Sequence, residues 1–415
     1  MKPWIHQSIG ADRGYKILQK YGILYLAWEE RTGKFLTALL IAEQAVVIKI
    51  LIITKKGKPL EDWNELLETY PLNKIYHAVN YHQVNKMTDR DWDLVILDES
   101  HNYVSGYPKI SKLWHEVRRF TRGKPIIYMS ATPYAQTPAL LYHQLALSDW
   151  SPFKRYKNYK HWHQDYGIPY TKWVYQKQVP MYDKVIDDKV LDQVDHFFTT
   201  MTRAELKFEH EPEDHLHYID LWQHTINRYN SILKHKVFES KTAIIEYDTK
   251  TKLRYGLHML EGGVLKHTTF ELNRNGKPKA VSSHFDMGNT EKIDYIKQTW
   301  GDKENVAIMY HFIGECKKLR NHFKHAEILQ ATTHAEGISL MHIEHLIIYS
   351  QDYSTSKHTQ RRARQANMKR DSPIIVHFLL VNKGISEEVY DTVSRNKLNY
   401  VDEMFKGARL SASVL

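Results

Sequence analysis

The sequence predicts an α/β fold with two parallel-sheet domains and, between them, a mostly helical insertion rich in aromatic and basic residues. Short apolar runs alternate with helix-like patterns up to about residue 150, and the alternation returns after residue 300. This alternation is typical of βαβ units, which build parallel sheets. A chain of 415 residues also exceeds the size at which one hydrophobic core keeps growing. We therefore expect a first domain at 1–150, the insertion at 151–245 and a second domain at 246–415.

The elements of the first domain follow from its apolar runs and their spacing. The run DLVILD at 93–98 is apolar without alternation, as expected of a strand buried on both faces of a parallel sheet. Strands are predicted at 21–27, 46–54, 75–80, 93–98 and 125–130. Helices are predicted at 34–43, 60–70, 110–120 and 138–147.

The middle segment and the second domain show different patterns. From residue 150 to 178, nine aromatic residues interleave with six lysines or arginines. This composition suits either an insertion that binds unpaired nucleic-acid strands or a helical insertion that packs its rings on the first domain. An Asn-Gly pair at 275–276 predicts a hairpin near 268–281. Beyond it, strands are predicted at 306–310, 326–329, 345–349 and 374–381, and a helix at 387–396.

Composition limits the classes of protein and site. The formal charge of +10 permits a polyanionic partner. The single cysteine, Cys316, excludes an intrachain disulfide and a multi-cysteine zinc site, and it favours a reducing setting. The N-terminus lacks a secretory pattern, and no run approaches the ~18 apolar residues of a membrane span. We therefore expect a soluble cytoplasmic protein with no membrane partner, whose 25 histidines are structural or at the surface.

Two pairs of residues beside predicted strands suggest phosphate chemistry. Asp98 and Glu99 end an apolar strand, and α/β folds bind ligands beyond the carboxyl ends of their strands. Gly33 and Lys34 stand between a strand and a helix, where backbone N–H groups and a lysine can hold phosphates. In this interpretation Lys34 neutralises phosphate charge, Asp98 holds Mg²⁺, and Glu99 orients or deprotonates water. Phe35 stands where the phosphate-loop pattern has a Mg²⁺-binding hydroxyl, so Phe35→Thr is expected to leave activity equal or higher.

These motifs, in this order, resemble those of superfamily 2 helicases and translocases, most nearly the Swi/Snf-like and phage-encoded members. Residues 98–101, Asp-Glu-Ser-His, match the DExH motif. Residues 130–133, Ser-Ala-Thr-Pro, match the motif that couples the ATP and nucleic-acid sites, here through Ser130 and Thr132. The resemblance implies two RecA-like domains, ATP and Mg²⁺ as cofactors, and DNA as the partner, with RNA not excluded.

The same resemblance implies roles for further residues. Nucleotide binding is implied for Gln7, Thr32 and Gly337. An arginine finger is implied for Arg364, a role shared with either Arg361 or Arg370, and a coupling role is implied for Gln360. Contacts with the nucleic-acid backbone are implied for Lys55, Lys56, Asn80, Tyr81 and Thr333.

The function that the resemblance implies is an ATP-dependent DNA helicase or translocase. It would act as a monomer on forked or branched DNA in replication or recombination, in a bacterial host cytoplasm if the chain is phage-encoded. Two alternatives stay open at this point. One is a nucleic-acid-binding module with a degenerate nucleotide site, favoured by Phe35 and by Asn367, which stands where motif VI has its second arginine. The other is an RNA helicase.

Overall fold

The computed structural model describes residues 2–134, 137–174, 177–206, 213–272, 278–331, 340, 342–355, 375–396, 398, 400, 401 and 404–411. The chain divides into two units, Met1–Phe208 and Glu209–Leu415, which are described in turn as unit 1 and unit 2. Within the described residues, none of the helices combines the length and the apolar character needed to cross a bilayer.

The described part of unit 1 contains both regular strands and helices in alternation. The strands are β1 (Ile23–Trp28), β2 (Lys49–Thr54), β3 (Ile75–Asn80), β4 (Leu94–Asp98), β5 (Ile126–Met129), β6 (Tyr170–Val174), β7 (Lys177–Met181) and β8 (Phe198–Met201). The helices are α1 (Ile5–Tyr21), α2 (Lys34–Gln44), α3 (Lys58–Thr69), α4 (Lys112–Thr121), α5 (Leu141–Leu145), α6 (Tyr159–Tyr166) and α7 (Asp187–Leu191). The predicted strands and helices of residues 21–147 are confirmed, with ends shifted by a few residues.

Six strands of unit 1 form one sheet in which every neighbouring pair is parallel. The strand order is β3-β2-β4-β5-β1-β8. Side chains of a strand alternate between the two faces of its sheet. On β4, Val95 and Leu97 join one buried apolar cluster, and Leu94 and Ile96 join another. Because both faces are covered, β4 is a continuous apolar run up to Asp98. The predicted α/β parallel-sheet class is confirmed.

Helix α1 has no counterpart among the elements predicted from the sequence. Gly10 and Gly14 lower its intrinsic helix propensity, yet both lie against neighbouring elements. A Cβ on Gly10 would stand 2.4 Å from the Trp28 ring, and one on Gly14 would stand 2.7 Å from Ile41. The glycines therefore let α1 pack closely on β1 and α2, and this packing brings Gln7 to the start of α2.

The segment 151–245 departs from the mostly helical insertion that the sequence predicts. In unit 1 it contains an antiparallel pair, β6 and β7, and also β8, which joins the edge of the six-stranded sheet beside β1. Further strands of this segment belong to unit 2. These strands lack a continuous apolar run, and sheet membership in such cases is set by tertiary pairing rather than by intrinsic preference.

Four aromatic rings in the first part of this segment are buried in unit 1. Phe153, Tyr159, Trp162 and Tyr166 are at most 3% exposed and belong to the core of unit 1. Trp173, by contrast, is 71% exposed. Of the two interpretations of this composition, packing on the first domain therefore holds for these four rings.

Unit 2 resembles unit 1 in its alternation of strands and helices. Its strands are β9 (Glu213–Tyr218), β10 (Val237–Glu239), β11 (Ile244–Glu246), β12 (Val264–Leu272), β13 (Pro278–Asp286), β14 (Val306–Tyr310), β15 (Glu327–Gln330), β16 (His345–Ile348) and β17 (Ile375–Leu380). Its described helices are α8 (Gln223–His235), α9 (Lys250–Glu261), α10 (Glu291–Thr299), α11 (Ile313–His322) and α12 (Ile385–Tyr390), and α12 continues into a π-helix at Asp391–Arg395.

Five strands of unit 2 form a second sheet, again with every neighbouring pair parallel. The order is β15-β14-β16-β17-β9. The four predicted strands after residue 300 are confirmed as β14 to β17. The fifth, β9, was not predicted, because its sequence EDHLHY is polar and charged.

The predicted hairpin is confirmed in its two strands. β12 and β13 pair antiparallel from Val264 opposite Asp286 to Leu272 opposite Pro278, and the turn at 273–277 lies outside the described residues. Val264 and Leu265 are buried at the base, whereas Phe270 and Leu272 near the far end are each 74% exposed. The hairpin is therefore anchored at one end and carries an apolar surface at the other.

A chain of hydrogen-bonded histidines crosses one face of the second sheet. His377 Nε2 lies 3.0 Å from His345 Nδ1, and His377 Nδ1 lies 2.9 Å from His217 Nε2. His217 Nδ1 in turn lies 2.8 Å from the Tyr295 hydroxyl. One direction of donation, from Tyr295 towards His345, satisfies every link with neutral rings. Burial, together with the neighbouring histidines, lowers the pKa of His377 to about 3.

We expect this chain to make the stability of unit 2 depend on pH. An unfolded histidine titrates near pH 6.5, so between pH 6.5 and about 3 the unfolded chain binds a proton that folded His377 does not. The contribution of His377 to the free energy of unfolding is therefore complete above pH 6.5 and is lost as the pH falls towards 3. Urea unfolding should show that wild type exceeds His377→Gln in free energy of unfolding, and that this difference narrows from pH 7.5 to pH 4.5. A difference that stays constant over this range would contradict the account.

Candidate functional site

The carboxyl ends of the central strands of unit 1 meet at one edge of the sheet. The register pairs Thr54 with Asn80, and Asp98 with Met129. It also pairs Ile53 with Leu97, which sets Thr54 beside Asp98. Every strand in this sheet is parallel, so the segments that follow β1, β4 and β5 all leave from this edge.

The loop after β1 turns sharply into α2 at Gly33. Gly33 is the N-cap of α2 and has φ of +88°, a left-handed conformation that favours glycine. A Cβ at this position would stand 2.0 Å from Gln7 Nε2, which donates to the Gly33 carbonyl at 3.3 Å. The Thr32 hydroxyl donates to the Glu29 carbonyl at 2.7 Å. Thr32 and Gly33 thus form a tight loop at the positive end of the α2 dipole, and Gln7 of α1 bonds to it.

Lys34, the first residue of α2, is buried beside this loop. It is 8% exposed, and its Nζ has no hydrogen-bond partner among the described residues. Burying an ammonium group without a partner costs free energy. A buried, unpartnered cation at a helix N-terminus is an arrangement that an anion would complete.

Asp98 is buried at the end of β4 and has donors from two other elements. Its Oδ2 accepts from the Thr54 hydroxyl at 2.7 Å and from Trp63 Nε1 at 3.3 Å. Its backbone carbonyl accepts from the Tyr81 hydroxyl at 3.0 Å. Strands β2 and β4, helix α3 and the segment after β3 therefore all fix the position of this carboxylate, which is 2% exposed.

Glu99, His101 and Ser130 form a connected group beside Asp98. Glu99 has a left-handed φ of +50°, and its Oε2 lies 3.5 Å from His101 Nδ1. The same His101 nitrogen lies 2.9 Å from the Ser130 hydroxyl, which accepts from the Thr132 backbone N–H at 2.9 Å. Burial first, and then nearby Lys34, lowers the pKa of His101 to about 4, so this ring is neutral at pH 7.

Two residues outside the sequence motifs, Gln144 and Trp63, bond to several segments of this site. Gln144 Oε1 accepts from Ser100 and from Tyr25, each at 2.8 Å, and its Nε2 donates to the Pro133 carbonyl at 2.9 Å. It therefore joins the segment after β4 to the segment after β5. The other residue is Trp63, through its bond to Asp98. Neither belongs to a recognisable motif, because each contact depends on the tertiary packing of a helix against a strand end.

The four unit 1 residues proposed to touch nucleic acid are placed differently from one another. Lys56 is exposed and Lys55 is partly buried. Tyr81 is 1% exposed, stacks on Tyr103 with ring centroids 4.1 Å apart and bonds to the Asp98 carbonyl. Asn80 is 3% exposed and accepts from the His82 N–H at 3.1 Å. In this structure the side chains of Asn80 and Tyr81 support the strand ends rather than line a surface.

The predicted site residues of the second domain fall in segments that the structure leaves undescribed. Thr333, Gly337, Gln360, Arg361 and Arg364 all lie outside the described residues. Their roles remain predictions from the sequence.

The donor set at this edge suits a nucleotide phosphate and a divalent cation. Lys34 and the first N–H groups of α2 supply positive charge, and Gly33 leaves room for close approach. Asp98 and Glu99 supply the carboxylate oxygens that Mg²⁺ prefers. The Lys34 ammonium is the observation that makes this fit specific, because its Nζ has no hydrogen-bond partner among the described residues and a phosphate oxygen would provide one.

Comparison with known proteins gives a similarity to solved structures but no family match. No protein-family model matches the chain, and no curated protein matches it. Among solved structures, the chain is similar to the Sulfolobus solfataricus SWI2/SNF2 ATPase core domain, at 14% sequence identity and a TM-score of 0.39. The match covers 97% of this chain and 93% of that one.

Proposed function

We propose that this chain is an ATP-dependent nucleic-acid translocase or helicase that hydrolyses ATP at the strand-end site of unit 1. The observation that carries the proposal is Lys34, a buried and unpartnered ammonium at the N-terminus of α2. Lys34 directly follows Thr32 and Gly33, whose loop Gln7 contacts. It is also close enough to His101 to lower the pKa of that ring. Two RecA-like domains remain part of this proposal.

Each residue of the site has a distinct proposed role. Gln7 contacts the adenine, Lys34 binds phosphate oxygens, and Asp98 holds Mg²⁺ from the end of β4. Glu99 accepts a proton from the attacking water, next to a neutral His101 that cannot act as a competing cation. Bound Mg²⁺ would supply charge neutralisation at the transferring phosphate.

Coupling to nucleic acid is proposed to run from Glu99 through His101 to Ser130 and Thr132. These contacts link the segment after β4 to the segment after β5 by hydrogen bonds of 2.9 Å between His101, Ser130 and the Thr132 backbone. A shift of either segment would change the position of Glu99. Thr333, Gly337, Gln360, Arg361 and Arg364 complete the proposal from the second domain, as expected from the sequence.

Asn80 and Tyr81 are proposed to act indirectly. Because Tyr81 is buried and bonds to the Asp98 carbonyl, it would transmit a movement of the segment after β3 to the metal-binding carboxylate. The exposed Lys56 and partly buried Lys55, which follow β2, remain proposed contacts with the phosphate backbone.

The experiment is ATP hydrolysis by the full chain with no nucleic acid, single-stranded DNA, duplex DNA, forked DNA or RNA. Stimulation by at least one DNA form is expected. Stimulation by RNA alone would make the chain an RNA-directed motor. Equal background turnover under all five conditions would overturn the proposal and favour a binding module with a degenerate site.

A preference for forked DNA is proposed on the basis of the hairpin formed by β12 and β13. Phe270 is 74% exposed near its far end, where an aromatic ring can stack on an unpaired base. Loss of one such stack, ~1 kcal/mol or more, is expected to slow fork unwinding in Phe270→Ala by about fivefold or more, with DNA-stimulated ATP hydrolysis unchanged. Thr268→Ala, on the same strand, is the matched control. Equal unwinding by Phe270→Ala and wild type would remove the hairpin from the fork proposal.

A further inference from the structure

Phe35, the residue that departs from the phosphate-loop pattern, contacts Trp63, and Trp63 in turn bonds to Asp98. Its ring stacks on Trp63 with centroids 4.6 Å apart and an interplanar angle of 11°. Trp63 is fully buried, and its Nε1 donates to Asp98 Oδ2 at 3.3 Å. The first turn of α2 is therefore joined to the carboxylate at the end of β4 by two side chains.

This connection is well defined because Trp63 has little freedom. It lies on α3 in the same apolar cluster as Leu94 and Ile96, which occupy the face of β4 that Asp98 also shares by alternation. A buried indole usually finds a partner for its N–H, and here the partner is the carboxylate. Thr54 donates to the same oxygen at 2.7 Å. Two donors from different elements on one oxygen restrict rotation of the carboxylate.

We infer that Phe35 and Trp63 are positioning residues for Asp98. Phe35 occupies the position at which the phosphate-loop pattern places a metal-binding hydroxyl, and it acts there through Trp63 instead. Outer partners of a metal-binding carboxylate orient it and tune its affinity. The inference rests on the proposed function, since it assigns Asp98 to Mg²⁺. It also reverses the expectation from sequence for Phe35→Thr, because the substitution removes the ring that holds Trp63.

The test compares ADP binding to the full chain in MgCl₂ and in EDTA by titration calorimetry. In wild type, Mg²⁺ is expected to tighten ADP binding. The Mg²⁺ effect is the ratio of the ADP dissociation constant in EDTA to that in MgCl₂. Trp63→Phe keeps an aromatic ring but loses the N–H, so this ratio should fall about tenfold while ADP binding in EDTA is unchanged. Phe35→Thr should shrink it in the same direction. Thr54→Val removes the other donor at almost constant volume and serves as the second variant if Trp63→Phe does not fold.

Trp92→Phe is the matched control. Trp92 is also buried, stacks on His77 with centroids 5.8 Å apart, and donates its Nε1 to the Asp89 carbonyl at 3.2 Å. It should retain the wild-type Mg²⁺ effect. A full Mg²⁺ effect in Trp63→Phe or in Phe35→Thr would overturn the role inferred for that residue and leave the proposed function intact. If Trp63→Phe does not fold, a full Mg²⁺ effect in both Thr54→Val and Phe35→Thr would overturn the inference. Failure of wild type to bind ADP in either buffer would overturn both.

Discussion

Glu99→Gln is expected to lower nucleic-acid-stimulated ATP turnover by about 10²–10⁴-fold, the range that a positioned general base contributes. Glutamine keeps the shape of the side chain but cannot take a proton from water. The carboxylate is placed by the left-handed backbone at Glu99 and by His101, 3.5 Å away. The measurement is steady-state phosphate release in Mg²⁺ with the nucleic acid that stimulates wild type best.

The control for this substitution is Glu116→Gln. Glu116 lies on α4, and its side chain is 19% exposed, as is that of Glu99. It pairs with Arg119 and has no place in the proposed mechanism. Wild-type turnover is expected. Normal turnover in Glu99→Gln would remove Glu99 from the proposed chemistry, and an equal loss in both variants would point to a general effect of removing negative charge from unit 1.

Lys34→Met is expected to weaken ATP binding without lowering the thermal stability of the protein. Methionine keeps much of the buried length of Lys34 but removes an ammonium that has no partner among the described residues. Removing an unpartnered buried charge is expected to leave thermal stability equal or higher in the absence of nucleotide. Loss of the phosphate contact should weaken ATP binding by at least about tenfold, which corresponds to ~1.4 kcal/mol.

Lys292→Met provides the contrast in unit 2. Lys292 is also buried, but it donates to the Tyr349 carbonyl at 3.0 Å. Burial lowers the pKa of Lys292, and the nearby carboxylates Glu261 and Glu315 partly oppose that shift. Its removal leaves buried carboxylates uncompensated and is expected to cost about 3–5 kcal/mol. Differential scanning fluorimetry without ligand measures both variants. A large loss of stability in Lys34→Met would mean that Lys34 is structural and would contradict the assignment.

The sequence predicted β1 to β5 and β14 to β17 from their mostly apolar runs and their alternation with helical patterns. It did not predict α1, whose glycines are explained only by their contact with Trp28 and Ile41. It also missed β8 and β9, the edge strands that complete the two sheets. Edge strands of mixed polarity carry little signal of their own, and their partners lie far away along the chain.

The sequence predicted where the residues of the candidate site lie on strands and helices, but not which side chains bond to them. The sequence placed Asp98 at a strand end and Gly33 at a helix start, and both positions are observed. It could not predict that Trp63 and Thr54 hold Asp98, that Gln144 joins two loops, or that Tyr81 points inward. These contacts depend on how helices and loops pack against the strand ends, and no local pattern encodes that packing.

Analysis of the nucleotide retained by the protein tests the central claim most directly. Wild type, Glu99→Gln and Lys34→Met are each mixed with trace radiolabelled ATP, Mg²⁺ and single-stranded DNA, and the bound nucleotide is recovered and separated. The account predicts mostly ADP on wild type, mostly ATP on Glu99→Gln, and little nucleotide on Lys34→Met. Equal conversion by wild type and Glu99→Gln, or equal retention by all three proteins, would contradict it.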